Sequence, residues 1–210
     1  MRKILLAGIV FAVTMPAEPA AHRLDEYLQA ARLSLAHDRI TLELDLTPGV
    51  NIASAIVPLL DRDGDHTISP AEAGAYGQGV LKDLVLELDG HRVPLTLTRV
   101  EAPSIEAMRD GSGTIQLRAA GNVEGVSAGR RRLDFRNNHQ PEMSVYLANA
   151  LIPEDADLHV AGQTRDPRQQ GVRIEYDVRP RWRARLLWLL VAAAAVSTLM
   201  VRRARPLLAP

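Results

Sequence analysis

The sequence predicts a mainly β, antiparallel sandwich-like domain with a helix–loop–helix insertion, followed by one C-terminal transmembrane helix. Three observations lead to this fold class. Short segments of alternating apolar and polar residues recur between turn-forming residues, as in half-buried antiparallel strands. Residues 51–82 interrupt that alternation with helical signals on both sides of an acidic loop. Residues 186–201 form an apolar stretch that carries no charge.

The clearest alternation covers residues 40–46, where Ile or Leu occupies every second position. This pattern predicts a strand with one buried face. His37 and Asp38 form the predicted turn to an earlier strand at 33–35. Short strands spaced in this way favour an antiparallel sandwich or barrel. The other predicted strands are 84–88, 93–100, 114–119, 132–135, 144–152, 157–162 and 172–178.

A tight hairpin is predicted at Asp89 and Gly90, because Asp-Gly between two alternating runs is a strong hairpin signal. The entering strand, 84–88, has Leu at every second position. The predicted return strand is 93–100. Pro94 favours an edge position for it, since proline has no amide hydrogen for a sheet ladder.

The insertion contains two predicted helices. The first covers residues 51–60. The second starts at Ser69, which is suited to the N-cap, with Pro70 at the first helical position and Glu72 three residues after the cap. It runs to about Lys82, and three glycines within it lower its helix propensity.

The loop between these helices, residues 61–72, matches the EF-hand template for Ca²⁺ binding. Asp occupies positions one, three and five. Position seven offers a backbone carbonyl, position nine a hydroxyl, and position twelve a Glu that ligates with both oxygens. Carboxylates this close together repel one another, so they need a cation to balance them. The predicted Ca²⁺ ligands are Asp61, Asp63, Asp65, Thr67, Ser69 and Glu72.

Two departures from the template predict weak binding, with a Kd of about 10⁻⁴–10⁻³ M. Position six, usually Gly because the backbone turns sharply there, is His66. The sequence also contains no second loop of this kind, whereas EF-hands usually pair. The alternative interpretation of residues 61–72 is an acidic turn that binds no metal.

The N-terminus has the features of a secretory signal peptide, predicted to cover residues 1–21. Arg2 and Lys3 precede the uncharged, largely apolar run 4–15, and small residues and prolines follow. The run is short for a hydrocarbon layer of roughly 30 Å. Cleavage is predicted after Ala21, and the alternative is an uncleaved N-terminal anchor.

At the C-terminus, residues 186–201 form the predicted transmembrane helix, between a basic linker at 179–185 and a tail at 202–210. Trp182 and Trp188 lie where aromatic rings favour the headgroup region. Flanking arginines can extend so short a span by snorkelling. The alternative is a buried soluble helix. Together the two ends predict a single-pass protein of the bacterial cytoplasmic membrane, with residues 22–178 on the extracytoplasmic, periplasmic side and the tail in the cytoplasm.

Composition excludes several functions. The chain has 25 basic and 25 acidic residues, so nucleic acid is not an expected partner. It has no cysteine, which excludes disulfides, thiolate zinc sites and a cysteine nucleophile. No hydrolase, zinc-protease or phosphate-loop motif occurs, so the chain is predicted not to be an enzyme.

Three further segments have a functional and a simpler interpretation. After cleavage, the amine and imidazole of His22 would suit Cu²⁺ or Ni²⁺ with help from a second imidazole, and the simpler reading is an exposed terminus. Residues 137–139 are interpreted as a turn rather than a ligand site, since Asn favours turns. Residues 130–132, three arginines, are interpreted as a solvated strand end rather than a lipid contact.

The chain also resembles a known family. The resemblance rests on residues 22–25 (HRLD), 44–46 (LDL), 61–76 (DRDGDHTISPAEAGAY), 84–95 (LVLELDGHRVPL), and 135–138 with 144–147. In their order and spacing they are similar to the exported module that precedes the membrane part of nickel/cobalt transporters and hydrogenase/urease-accessory membrane proteins. Unlike those transporters, the predicted span here holds no ionisable residue, so this chain alone cannot conduct an ion.

These observations favour a membrane-anchored, non-enzymatic calcium-binding envelope protein in which Ca²⁺ is mainly structural. The expected partners are the membrane, through the C-terminal helix, and a membrane transporter or another envelope protein. The alternative function is that of an accessory or partner-binding domain of a nickel/cobalt transport system.

Overall fold

The structure is a computed structural model that describes residues 25–123 and 127–180. No helix within these two ranges is long and apolar enough to cross a membrane. The predicted signal peptide, the predicted span 186–201 and the tail 202–210 lie outside the described residues, and so does His22.

The described residues form two five-stranded sheets and three helices. In chain order the elements are β1 (Tyr27–Leu35), β2 (Arg39–Pro48), α1 (Val50–Leu60), α2 (Pro70–Lys82), β3 (Leu84–Leu88), β4 (His91–Arg92), β5 (Thr96–Glu101), α3 (Ile105–Arg109), β6 (Ile115–Asn122), β7 (Gly129–Asn137), β8 (Ser144–Ala150), β9 (Leu158–Arg165) and β10 (Gly171–Val178). The first sheet has the order β5-β6-β2-β1-β8, and the second has the order β4-β3-β7-β10-β9. The predicted mainly β class is confirmed, and the two sheets are consistent with a sandwich.

The β1–β2 hairpin is the centre of the first sheet, and the predicted alternation accounts for it. The residues Ile40, Leu42, Leu44 and Leu46 all point into the core and are at most 1% exposed. The polar residues between them face outward, where Arg32 on β1 contacts Glu43 and Asp45 at 3.3 Å and 2.9 Å. The predicted strand at 33–35 is the end of a longer one that begins at Tyr27.

One strand pair is parallel, which the antiparallel prediction did not include. β8 pairs with β1 in parallel, with Tyr27 opposite Ser144. The chain leaves β7 in the second sheet, turns through residues 138–143 and enters the first sheet at its open edge. The other side of β1 is already occupied by β2. The amide of Tyr27 donates to the carbonyl of Met143 at 2.8 Å, which fixes the start of this pairing.

The predicted Asp89-Gly90 hairpin is present, but the predicted return strand at 93–100 was wrong. Asp89 and Gly90 have φ angles of 51° and 83°, as a tight turn with two left-handed residues requires. The return strand β4 covers only two residues, and the chain then crosses to β5 in the other sheet. Pro94 cannot donate to a ladder. Val93 turns inward and packs so closely on Gly121 that a Cβ at residue 121 would lie 2.6 Å from Val93 Cγ1.

The two long helices form the predicted insertion, which carries the chain from the first sheet to the second. The predicted start of α2 is confirmed, since the side chain of Ser69 accepts from the amide of Glu72 and the Glu72 side chain accepts from the amide of Ser69. Close packing explains why Gly77, a weak helix former, lies within α2. A Cβ there would lie 3.0 Å from Leu97 Cδ2, so glycine allows α2 to pack closely on β5. The short helix α3 was not predicted.

A single hydrophobic cluster joins both sheets and the helices. Leu44 is fully buried in β2, whereas Leu28 on β1 is 39% exposed on the outer face. A Leu→Ala substitution at each position therefore tests the effect of burial on stability, because the side chain removed is the same.

We expect Leu44→Ala to lower the free energy of unfolding by about 2–5 kcal/mol, because it removes apolar contacts and leaves a cavity. Leu28→Ala, the matched control, should change it by less than about 1 kcal/mol. Urea unfolding followed by far-UV circular dichroism measures both. Equal losses in the two variants would contradict the assignment of the buried face.

Candidate functional site

The acidic loop is held at both ends by helix termini. Asp61 follows α1, and its amide donates to the carbonyl of Val57 at 2.9 Å. Ser69 is the N-cap of α2. Between them Ile68 packs against the hydrophobic core. The loop therefore leaves and re-enters the fold at fixed points.

Three carboxylates converge within this loop. One oxygen from each of Asp61, Asp63 and Asp65 lies within 4.8 Å of the other two. Asp61 is buried, whereas Asp63 and Asp65 are exposed, so the group opens to solvent on one side. Three negative charges at this separation repel one another, and a bound cation would relieve that repulsion.

The same carboxylates also shape the backbone. Asp61 accepts from the amide of Gly64 with Oδ1 at 2.9 Å and from the amide of His66 with Oδ2 at 3.1 Å. Asp63 and Asp65 each accept from the amide two residues later, at 3.2 Å and 2.7 Å. A carboxylate oxygen has more than one lone pair, so these bonds leave acceptor capacity for a cation. The loop thus winds around the oxygens that would ligate an ion.

His66 has the positive φ that its position in the loop demands. Its φ is 68°, and Gly64 two residues earlier has a φ of 73°. The left-handed conformation costs a residue other than glycine about 1–3 kcal/mol. The hydrogen bond from the amide of His66 to Asp61 helps to hold it.

Glu72, the last residue of the loop, is not part of the three-carboxylate group. Its Oε1 accepts from the amide of Arg62 at 2.7 Å, and its Oε2 accepts from the amide and the hydroxyl of Ser69 at 3.0 Å and 2.8 Å. These bonds, those from Ser69 foremost, lower the pKa of the Glu72 carboxyl to about 2. Glu72 therefore stays charged over the physiological pH range.

The structure brings some predicted ligands together and leaves others engaged elsewhere. Asp61, Asp63 and Asp65 are assembled. Ser69 and Glu72 bind each other in the capping box, and Thr67 donates its amide to Asp65. All of the oxygens are hard donors of the kind that Ca²⁺ prefers, so the donor set fits that ion. Full coordination requires Glu72 to exchange hydrogen bonds for ligand contacts.

A second polar group, which the sequence did not predict, lies at the far end of α2. The hydroxyls of Tyr27 and Tyr76 are 2.7 Å apart, and the Tyr76 hydroxyl is 3.2 Å from Nε2 of His139. Nδ1 of His139 is 2.8 Å from Oδ2 of Asp83, the C-cap residue of α2. Burial raises the pKa of Tyr76 to about 12 and that of Tyr27 well above its usual value, so both phenols stay protonated.

This buried group extends into both sheets. Gln29 of β1 accepts from the side-chain amide of Asn137 at 2.7 Å and donates to the carbonyl of His139 at 2.9 Å. The Tyr146 hydroxyl donates to the same carbonyl at 2.8 Å. Gln29, Asn137 and His139 are each at most 5% exposed. These residues connect β1, β7, β8 and α2, and we refer to them with Tyr27, Tyr76 and Asp83 as the buried polar network.

The predicted turn at 137–139 is found only in part: Asn137 still belongs to β7 and the chain bends at His139, with Asn137 and His139 buried and Asn138 exposed. Asn137 ends β7, and the amide of His139 donates to the Asn137 side chain at 2.9 Å. The polar residues directly after a buried strand were the only sequence signal for the buried polar network. The sequence alone could not identify their partners, because Tyr27 and Tyr76 are far from residues 137–139 along the chain. The arginines at 130–132 are at the predicted solvated strand end, where each pairs with an aspartate.

No protein-family model matches this chain, and the comparison with curated proteins found no match. The loop and the buried polar network are therefore interpreted from their own geometry.

We expect Tyr76→Phe to lower the free energy of unfolding by about 1–3 kcal/mol, because it leaves Tyr27 and His139 with one hydrogen-bond partner fewer in the core. Tyr176→Phe is the matched control. Tyr176 is as deeply buried, and its hydroxyl makes no hydrogen bond to another described residue. Thermal or urea unfolding measures both, and equal destabilisation would refute a stabilising role for the network.

Glu72 predicts a specific acid dependence of stability. Its pKa is lowered from 4.5 to about 2 in the folded protein, so the charged form favours folding. That contribution is complete above the unfolded pKa, and it is lost as the pH falls from about 4.5 to about 2. Glu72→Gln keeps an acceptor for the capping box but does not titrate. Without divalent ions, the stability of the wild type relative to Glu72→Gln should fall across this window, and a constant difference would contradict the assignment.

Proposed function

We propose that this chain is a membrane-anchored, non-enzymatic calcium-binding envelope protein in which Ca²⁺ is mainly structural. The observation that carries the proposal is the convergence of Asp61, Asp63 and Asp65 in a loop fixed between two helices. An acidic group alone attracts any cation. Here the order of carboxylates, carbonyl and hydroxyl along the loop is the one that Ca²⁺ takes in an EF-hand.

The charge of the loop supports a divalent cation. Asp61, Asp63, Asp65 and Glu72 carry four negative charges, against one positive charge from Arg62 in the same segment. Glu72 is fully charged at neutral pH because its pKa is about 2. Protons therefore do not compete for this ligand. Ca²⁺ accepts about six to eight oxygens at flexible angles, whereas Mg²⁺ demands a tighter octahedron, so Ca²⁺ should stabilise the loop more.

A structural role follows from what the loop connects. Glu72 and Tyr76 are four positions apart on α2 and so lie on the same side of the helix. Tyr76 joins the buried polar network. An ion that draws Glu72 towards Asp61 would hold α1 to the start of α2 and thereby support the helix that the network attaches to both sheets. A single loop has no partner loop with which to open a groove, so the proposed effect is on stability rather than on signalling.

Weak affinity is part of the proposal. Glu72 must give up hydrogen bonds from Arg62 and Ser69 before both of its oxygens can ligate. His66 already holds a left-handed conformation that glycine would adopt without strain, which lowers the stability of the loop. The loss of the Glu72 hydrogen bonds opposes binding, and we propose a Kd of about 10⁻⁴–10⁻³ M, as in extracellular calcium modules.

We propose membrane attachment, export and a non-enzymatic role from the sequence alone. The supporting features are the signal-like residues 1–21, the apolar residues 186–201 and the lack of a recognisable catalytic motif. An accessory role in nickel or cobalt transport is supported by the sequence resemblance only. A neighbouring transporter gene would favour it.

We expect Ca²⁺ to raise the melting temperature of the full chain in detergent, because an ion that binds only the folded state stabilises it. At ten times a Kd of about 10⁻⁴ M the gain is roughly 1.4 kcal/mol, or a shift of roughly 3–6 °C. Glu72→Gln should remove most of this shift. Glu142→Gln, a change of the same chemistry at an exposed position, should keep it. If about 5 mM Ca²⁺ leaves the wild-type curve unmoved, the loop is a metal-free acidic turn.

The proposed topology has its own test. Alkaline phosphatase is active outside the cytoplasmic membrane, so a fusion after residue 178 should be active and a fusion after residue 210 inactive. A cytoplasmic reporter should give the opposite pattern at the two positions. Activity of the phosphatase at residue 210 would exclude a single span with a cytoplasmic tail.

A further inference from the structure

A second group of metal-ligating side chains lies away from the acidic loop. His37 is in the turn between β1 and β2, and Asp155 and Asp157 are in the connection between β8 and β9. One donor atom from each of the three side chains lies within 4.8 Å of the other two. The group joins the turn of a hairpin in the first sheet to the start of a strand in the second.

The imidazole of His37 is directed into this group. Its Nε2 lies 3.1 Å from Oδ2 of Asp155. That contact does not have hydrogen-bond geometry, and the nitrogen is shielded from solvent without another hydrogen-bond partner among the described residues. The whole side chain of His37 is only 14% exposed. A buried polar atom in this state is unfavourable, and a metal ion between nitrogen and carboxylates would satisfy it.

The two aspartates are positioned by backbone hydrogen bonds. Oδ1 of Asp155 accepts from the amide of Asp157 at 3.0 Å, and the carbonyl of Asp155 accepts from the amide of Leu158 at 3.0 Å. The carbonyl of Asp157 accepts from the amide of Arg179 at 2.8 Å. The carboxylates therefore approach His37 from a fixed turn, which lowers the entropy lost when an ion binds.

We infer that His37, Asp155 and Asp157 form a binding site for a divalent transition-metal ion of the zinc class, separate from the acidic loop. The donor set of one imidazole and two carboxylates decides the ion class. Ca²⁺ and Mg²⁺ take oxygen ligands, whereas Zn²⁺ and its neighbours accept imidazole nitrogen together with carboxylate oxygen.

Distance and charge both suit this class of ion. Four ligands about 2.0–2.1 Å from a tetrahedral ion are about 3.3 Å from one another. The contact from His37 to Asp155 is already 3.1 Å. A neutral imidazole, two carboxylates and a divalent cation sum to zero charge. With three protein ligands the fourth position is open to water or an exchangeable ligand.

The experiment is a calorimetric titration of the full chain in detergent with Zn²⁺. About 5 mM Ca²⁺ is present throughout to occupy the acidic loop. We expect one Zn²⁺ per chain. His37→Gln and Asp155→Asn should each weaken binding about tenfold or more, since even the loss of an outer partner of a ligand costs about 10–100-fold.

Two controls isolate the site. His159→Gln changes an exposed histidine on β9 and should leave Zn²⁺ affinity unchanged. Glu72→Gln should also leave it unchanged, so failure of the calcium proposal and failure of this one are distinguishable. Absence of Zn²⁺ binding would show that the group is an ion pair only and would overturn the inference. Equal affinity in the wild type, His37→Gln and Asp155→Asn would overturn it as well.

A direct measurement covers the case in which the variants do not fold. X-ray absorption of Zn²⁺ bound to the wild type should show one imidazole ligand with the remaining ligands oxygen. A coordination shell with no imidazole, or with two or more, would overturn the assignment of His37, Asp155 and Asp157.

Discussion

The buried polar network places α2 relative to the two sheets, and the rest of the site depends on that placement. Tyr76 projects from α2 to Tyr27 of β1 and to His139, and Asp83 at the end of the helix contacts the same histidine. Polar groups in a core are stabilising only when each is satisfied. Here the side chains partner one another across strands of both sheets, so a displacement of α2 would break several buried hydrogen bonds at once.

The position of α2 also fixes the C-terminal end of the acidic loop. Its last predicted ligand, Glu72, is in the first turn of α2, and its first, Asp61, caps α1. The loop thus holds repelling carboxylates in place by backbone hydrogen bonds and helix ends rather than by an opposing charge. The group at His37 differs from the loop in its ligands. It combines one imidazole nitrogen from the first sheet with two carboxylates next to the second sheet, whereas the loop offers only oxygens.

Several elements were predictable because their causes are local. The alternation at 40–46 reflects one buried face, and Ser69, Pro70 and Glu72 specify a helix start through contacts within four residues. The return strand at 93–100 was not predictable in the same way. Its alternation is real, but Pro94 and the contact of Val93 with Gly121 move the chain to the other sheet, and a partner distant in sequence decides that move. The parallel β1–β8 pair has the same origin.

The sequence by itself determined the order of carboxylates in the loop, the capping box that follows it and the strands of the central hairpin. Each of these depends on side chains acting on backbone a few residues away. Only the tertiary structure decided that His139 is buried between Tyr76 and Asp83, that the Glu72 carboxylate accepts from the amide of Arg62, and that His37 meets Asp155. Those contacts join segments from different sheets and helices, and their formation depends on how whole elements pack, which local periodicity does not encode.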